Sequence, residues 1–169
     1  MQRHTAVVLL YRIAVKNPYF CAMEQLLSDD YFMKKALQEA ETAFEKGEIP
    51  VGAVIVIDGQ VIARGHNLTE MLNDVTAHAE MQSITAAANY LGGKYLNGCT
   101  LYVTLEPCQM CAGALYWSQI SKLVFGARDP KRGYIAMGTQ LHPKTTVVAG
   151  ILADEAAALM LRFFEQRRN

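Results

Sequence analysis

The sequence predicts an α/β fold in which helices cover both faces of a five-stranded mixed sheet. Helical and strand-like apolar patterns alternate along the chain, and one strand-like run is apolar on nearly every residue. Such a strand needs cover on both of its faces. The 169 residues, 51% hydrophobic and 19% charged, suit about one domain and exclude the disordered, collagen-like and coiled-coil classes.

The first half of the chain predicts one helix followed by a β-hairpin. A capping residue at Ser28 opens the helix and Gly47 stops it. Residues 51–57 are a nearly continuous β-branched run, Asp58-Gly59 is a two-residue hairpin turn, and residues 61–63 return as a second strand. The helix carries apolar residues at three- and four-residue spacing, namely Phe32, Met33, Ala36, Leu37, Ala40, Ala43 and Phe44.

Helices and strands alternate through the second half, which predicts parallel crossovers there. A helix begins near Ala77 or His78 and ends at Gly92-Gly93. Pro107 breaks the next strand and is well placed to start another helix. The other elements are a strand over residues 99–105, a helix over 108–119, strands over 122–126 and 145–148, and a last helix with the apolar stripe Leu152, Leu159, Met160, Phe163 and Phe164.

Residues 1–22 are predicted to be an N-terminal extension, disordered or not native, before a domain over residues 23–169. Met23 offers a second start, and the apolar run of residues 6–10 is far shorter than the roughly 20 residues of a membrane-spanning helix. Four cysteines are too few for a disulfide-stapled scaffold. We therefore expect a cytoplasmic protein with no membrane partner.

Charge is unevenly distributed, although 16 basic and 16 acidic residues give a net charge of zero. Residues 1–50 carry −1, residues 51–119 carry −3 and residues 120–169 carry +4. A solvated helix face and a nucleic-acid-binding patch both explain such a basic region. Its basic residues are Lys122, Arg128, Lys131, Arg132, Lys144, Arg162, Arg167 and Arg168.

The spacing of His78, Cys108 and Cys111 predicts a catalytic zinc site. One imidazole and two thiolates are good zinc ligands, and three protein ligands leave a fourth tetrahedral position for water. The cysteines lie three apart at a predicted helix start, where the helix dipole favours thiolates. Glu80 lies two residues from His78, so we interpret it as an acid/base beside the metal and not as a ligand.

Less specific interpretations of the same residues stay open at this point. A lone Cys-x-x-Cys pair also occurs as a redox pair, although the histidine upstream then has no purpose. It also occurs as half of a structural zinc site, for which Cys99 or His66 would have to supply the fourth ligand.

The combination of His78-Ala79-Glu80 with Pro107-Cys108-Gln109-Met110-Cys111 resembles the zinc-dependent hydrolytic deaminases. From Tyr31 to Arg168 the chain resembles one branch, the bacterial tRNA adenosine deaminases. The matching stretches are residues 48–54, 76–80, 100–114, 125–129 and 150–155. The resemblance implies a three-layer α/β/α cytidine-deaminase-like fold, a homodimer with one zinc ion per subunit, and conversion of the wobble adenosine of an arginine tRNA anticodon to inosine.

The resemblance also implies roles for individual residues. His78, Cys108 and Cys111 would bind zinc, and Glu80 would carry protons while activated water attacks C6 of the adenine and ammonia leaves. Asn67 would hydrogen-bond the base, and Asp129 would contact the neighbouring ribose. The implied substrate-binding set is Asn67, Ala79, Arg128, Asp129, Lys131, Arg167 and Arg168, the basic members facing the backbone of the anticodon stem-loop.

Two further functions compete with this one. Tyr116-Trp117 resembles guanine and cytosine deaminases of the same superfamily, which act on free bases. A non-enzymatic alternative is a zinc-stabilised RNA-binding module or an inactive dimer partner, against which the intact Glu80 argues.

Overall fold

Four helices and five strands make up residues 28–168, the part of the chain that the computed structural model describes. In order they are α1 (Asp29–Glu45), β1 (Gly52–Ile57), β2 (Gln60–His66), α2 (Ala79–Leu91), β3 (Thr100–Leu105), α3 (Gln109–Ser118), β4 (Lys122–Ala127), β5 (Thr146–Ala149) and α4 (Ala153–Gln166). The predicted extension over residues 1–22, and the predicted domain start at residue 23, lie outside the described residues. Within residues 28–168, no helix is long and apolar enough to cross a bilayer.

The strands form one mixed sheet in the order β2-β1-β3-β4-β5. β1 is antiparallel to β2 and to β3, whereas β3, β4 and β5 are parallel. Helix α3 makes the crossover from β3 to β4, because parallel neighbours cannot be joined by a tight turn. The predicted five-stranded mixed sheet with parallel strands in the second half is confirmed.

The predicted hairpin is confirmed, with a longer second strand than expected. Asp58 and Gly59 have φ angles of 49° and 74°, and positive values at both central positions give the turn that matches the twist of paired strands. β2 continues to His66 because its pairing with β1 runs on to Gly52. Residues 64–66 do not alternate between apolar and polar side chains, so the strand predicted from the sequence ended at residue 63, three residues too early.

Helices cover both faces of the sheet, as predicted. Helices α2 and α3 cover one face, where the buried core includes Ile55, Leu101, Val103, Leu123 and Phe125 together with Ala87 and Leu115. Helix α1 covers the other face, where its residues Phe32, Met33 and Ala36 pack on Val54, Tyr102 and Val124. Helix α4 lies beside α1, since the rings of Phe163 and Phe44 have their centroids 5.8 Å apart. The result is a three-layer α/β/α fold.

Gly52 allows α1 to lie directly against β1. A Cβ atom there would lie 2.2 Å from both Ala36 O and Ala40 N, and backbone atoms of a packed helix cannot move aside as a flexible side chain can. We expect Gly52→Ala to lower the free energy of unfolding, measured in urea, by about 1–3 kcal/mol. Gly93 has open space around its Cβ position, so Gly93→Ala is the control, with an expected change within about 0.5 kcal/mol. A Gly52→Ala protein as stable as this control would contradict the close packing.

Candidate active site

His78, Cys108 and Cys111 lie together at one edge of the sheet. β2 and β3 both run antiparallel to β1, so both strands end at that edge. His78 follows β2 as the N-cap of α2, and Cys108 follows β3 as the N-cap of α3. Neither side chain caps its own helix, which leaves both available for another partner. Helices were predicted to begin near 77 or 78 and at 108; each begins one residue after a ligand.

The distances between the three side chains fit a tetrahedral zinc ion. The Sγ atoms of Cys108 and Cys111 lie 3.6 and 3.5 Å from Nδ1 of His78. Zinc bonds of about 2.0–2.1 Å to nitrogen and 2.3 Å to sulfur, at the tetrahedral angle, place the two ligand atoms about 3.6 Å apart. The side chains of His78, Cys108 and Cys111 are therefore placed to bind a zinc ion.

No fourth protein ligand joins this group within residues 28–168. Cys99 precedes β3 and so lies at the opposite end of that strand from Cys108. His66 is engaged elsewhere, by Glu39 at 3.2 Å and Lys46 at 2.9 Å. The structural-zinc alternative required one of these two, whereas a three-ligand set keeps a coordination position for water.

The three ligands also have the electrostatic character of a metal site. A hydrogen bond from Cys111 lowers the pKa of Cys108 to about 4 against the opposing effect of burial, and His78 contributes to the lowering. The contact with Cys108, together with burial, raises the pKa of Cys111. The hydrogen bond to Cys108 raises the pKa of His78. The group thus holds a thiolate ready for a cation, which would displace the remaining thiol proton on binding.

Glu80 lies beside the ligands on the second residue of α2 and is only 3% exposed. Burial raises the pKa of its carboxyl group, although the neighbouring His78 opposes this. A carboxyl group whose pKa moves towards neutrality can both accept and return a proton. Glu80 is not a member of the metal-competent group, in keeping with its predicted place beside the metal.

A cavity of about 700 Å³ opens onto His78, Cys108 and Glu80. This volume is within the usual range, about 300–1,000 Å³, for pockets that bind small ligands. Its apolar wall includes Ile49, Val51, Leu105, Met160 and Phe164. Its polar wall includes Asn67, Thr69, Glu106, Arg128, Asp129, Lys131 and Arg132.

Four of the seven predicted substrate-binding residues line this cavity: Asn67, Arg128, Asp129 and Lys131. Asn67 is buried, and its Oδ1 accepts a hydrogen bond from Ala79 N at 3.0 Å. Ala79 is itself fully buried, so its backbone orients Asn67. Oδ1 of Asp129 accepts hydrogen bonds from Lys131 N and Arg132 N at 3.0 and 2.9 Å, which shapes the turn that carries both cations.

Arg167 and Arg168 do not line the cavity. They follow α4, where Arg167 donates to Gly47 O at 2.7 Å and stacks on Phe163, and Arg168 donates to Phe164 O at 3.3 Å. The basic C-terminal region is therefore divided in space. Lys122 is also committed elsewhere, to Asp29 at 2.8 Å, while Arg128, Lys131 and Arg132 border the cavity.

The sequence reasoning missed two buried carboxylates next to the cavity. Glu106 lines it, and Glu48 holds one of its loops by accepting hydrogen bonds from Thr69 Oγ1, Glu70 N and Met71 N at 2.8–3.0 Å. Burial alone would raise the pKa of Glu48, but these hydrogen bonds together lower it. The sequence offered only a weak positional signal: Glu106 directly precedes Pro107 at the end of β3, and Glu48 lies two residues before Pro50, ahead of β1.

Comparison with known proteins agrees with this geometry. The cytidine and deoxycytidylate deaminase zinc-binding region matches residues 27–127. A tRNA-specific adenosine deaminase of Bacillus subtilis is 46% identical over 150 residues, which cover 85% of this chain and 93% of that protein.

Two solved structures share the fold. One, from a study of A-to-I editing by tRNA:A34 deaminases at the wobble position of transfer RNA, is 47% identical with a TM-score of 0.72 and covers 76% of this chain and 98% of its own. A guanine deaminase of Nitrosomonas europaea has a TM-score of 0.70 but 27% identity, over 80% of this chain and 84% of its own. The TM-scores of these two structures are nearly equal, whereas the sequence identity is higher for the first.

Proposed function

Because this chain belongs to the tRNA-specific adenosine deaminases, within the cytidine and deoxycytidylate deaminase family, we propose that it converts the wobble adenosine of a tRNA anticodon to inosine. The observation that carries the proposal is the meeting, at one cavity, of a His/Cys/Cys metal set, a buried Glu80 and three basic side chains. The match to the tRNA-specific adenosine deaminase of Bacillus subtilis covers 85% of this chain at 46% identity, whereas that to a guanine deaminase of the same organism covers 57% at 43% identity, and this difference supports a nucleic-acid substrate over a free base.

The reaction consumes one water, forms a C6–O bond, breaks the C6–N bond and releases ammonia. His78, Cys108 and Cys111 would hold a zinc ion, and its chemical contribution when bound would be to lower the pKa of the attacking water towards neutrality. Glu80 takes one proton from the attacking water and delivers it to N1 of the adenine. It then takes the second proton from the new hydroxyl on C6 and delivers it to the amine, which leaves as ammonia while C6 becomes a carbonyl carbon. Its burial keeps bulk water from competing for these protons, and such transfer typically contributes about 100- to 10,000-fold in rate.

Asn67 and Asp129 hold the nucleotide in this proposal. With its Oδ1 engaged by Ala79 N, Asn67 offers its amide NH₂ group to the base. Asp129 lines the cavity, and in this proposal it contacts the ribose next to the target. An anticodon base is already unpaired, so moving it into the cavity costs less than flipping a base from a duplex.

Arg128, Lys131 and Arg132 contact the phosphates of the anticodon loop, and Arg167 and Arg168 reach the stem-loop beyond the cavity. By resemblance to its family, we propose an arginine tRNA as substrate and a homodimer as the active form. The cytoplasm is the proposed location, in keeping with free Cys99, Cys108 and Cys111 among the described residues.

The test is incubation of the zinc-loaded protein with an arginine-tRNA anticodon stem-loop carrying adenosine at the wobble position. We expect inosine at that position, and KM should rise with salt because phosphate contacts release counterions. The same stem-loop with guanosine at the wobble position, and free guanine and cytosine, are the controls. Ammonia from a free base, with no inosine in the stem-loop, would refute the proposed function.

A further inference from the structure

A second buried carboxylate, Glu106, lines the cavity and accepts a backbone hydrogen bond on each of its two oxygens. It is 4% exposed, and its two oxygens accept hydrogen bonds from two different places. Oε2 accepts from Asp129 N at 3.2 Å, and Oε1 accepts from Ile135 N at 3.1 Å. Both donors belong to one segment, residues 129–135, which we call the basic loop because it carries Lys131 and Arg132.

The basic loop lies directly on this carboxylate. A Cβ atom at Gly133 would lie 2.4 Å from Cδ and Oε1 of Glu106 and 2.5 Å from Asp129 O. Only a glycine leaves room for the loop to cross the carboxylate so closely. Glu106 therefore ties down both ends of the loop, and Gly133 makes the fit between them possible.

The same loop is bonded to the segment that holds the metal ligand. Tyr134 N donates to Pro107 O at 2.8 Å, and Gly133 forms an isolated antiparallel bridge with Cys108. Residues 106–108 thus contact the basic loop on one side and supply Cys108 on the other. The distance between the cations of the loop and the reacting centre is set by this short piece of chain.

An amide or an alcohol could not replace the carboxylate here. Two acceptor oxygens are needed for two N–H donors, and a glutamine offers only one oxygen, with an NH₂ group facing the other donor. Hydrogen bonds to a charged acceptor are also stronger than neutral ones.

We propose that Glu106 is a positioning residue for RNA recognition, which fixes the basic loop so that Lys131 and Arg132 face the phosphates of the substrate while the base lies at the metal site. The inference rests on the proposed function for the identity of the substrate. The contacts themselves, in which one carboxylate joins the metal-ligand segment to the basic loop, lie within this chain and do not depend on the substrate.

The test compares Glu106→Gln with the wild type in stem-loop deamination at several salt concentrations. We expect KM to rise about tenfold or more, as loss of a charge-assisted hydrogen bond warrants, while kcat and zinc content change little. The slope of log KM against log salt should fall by up to about 1.4, because Lys131 and Arg132 each make one phosphate contact and each contact on a single strand contributes about 0.7.

On a Lys131→Ala/Arg132→Ala background, Glu106→Gln should raise KM little further. If Glu106→Gln only lowered the stability of the protein, the molecules that remain folded would keep the wild-type slope of log KM against log salt.

Glu48→Gln is the matched control, because Glu48 is an equally buried carboxylate that holds the backbone N–H groups of Glu70 and Met71 on another loop. Residues 69–72 carry no basic side chain, so this variant should keep the wild-type salt slope. If Glu106→Gln does not fold, Gly133→Ala displaces the loop from the other side, with the same expected rise in KM.

Amide hydrogen exchange separates this inference from the proposed function, since it needs no RNA. The Asp129 and Ile135 amides should exchange faster in Glu106→Gln, whereas Glu70 and Met71 should be unaffected. A wild-type protein without stem-loop activity would count against the proposed function alone. Unchanged exchange, an unchanged salt slope, or a fall in kcat at constant KM would overturn the positioning role.

Discussion

Replacing Glu80 by glutamine should lower the deamination rate by about 100- to 10,000-fold, the range that general acid–base catalysis contributes. Glutamine has nearly the same shape but cannot accept the proton of the attacking water or pass it to the departing amine. The measurement is kcat for conversion of the anticodon stem-loop to inosine. KM should change little, because the cations that meet the phosphates lie on other elements of the fold.

The zinc content of the Glu80→Gln protein is the control for this loss. Glu80 lies outside the metal-competent group, so metal analysis should find as much zinc as in the wild type. A variant that keeps zinc and most of its rate would mean that the proton is carried by another group.

Removing the metal should abolish activity altogether. Chelation, or His78→Ala, is expected to leave no measurable inosine, because without the ion no hydroxide is generated near neutral pH. Activity of the chelated wild type should return when zinc is added back, whereas His78→Ala should bind zinc weakly and stay inactive. Zinc content by metal analysis and inosine yield are the two measurements.

Cys99→Ala separates a ligand effect from the general effect of losing a cysteine. Cys99 is free and fully buried like Cys111, but it does not belong to the metal-competent group. This variant should keep its zinc and its activity, at a stability cost of about 1 kcal/mol typical of core substitutions. Loss of zinc from Cys99→Ala, or its retention by His78→Ala, would contradict the assigned ligand set.

The elements and the reacting groups follow largely from local sequence. Residue patterns of a few positions predicted the hairpin at Asp58-Gly59, the buried strand β1 and the helices that begin after His78 and Cys108. The metal set could be predicted for the same reason, since two ligands lie three residues apart and a third falls at another helix start. These patterns can be recognised without knowing which residues lie on the neighbouring strands.

The neighbours of the site could not be predicted, because they depend on contacts between distant parts of the chain. Glu106 is nearly thirty residues from Ile135, and its position before Pro107 does not indicate which loop it would hold. The basic residues of the C-terminal region looked alike in sequence, yet Lys122 pairs with Asp29 while Lys131 borders the cavity.

The sequence by itself determined a mixed sheet with helices on both faces and the candidate metal ligands His78, Cys108 and Cys111, because periodicity and ligand spacing are local properties. It also predicted an acid/base role for Glu80 beside them. Only the tertiary structure decided which cations face the cavity and how their loop is fixed against the metal-ligand segment. The physical reason is that a loop without apolar periodicity is positioned by a few long-range hydrogen bonds to buried carboxylates, and these appear only once the strands have brought their ends together.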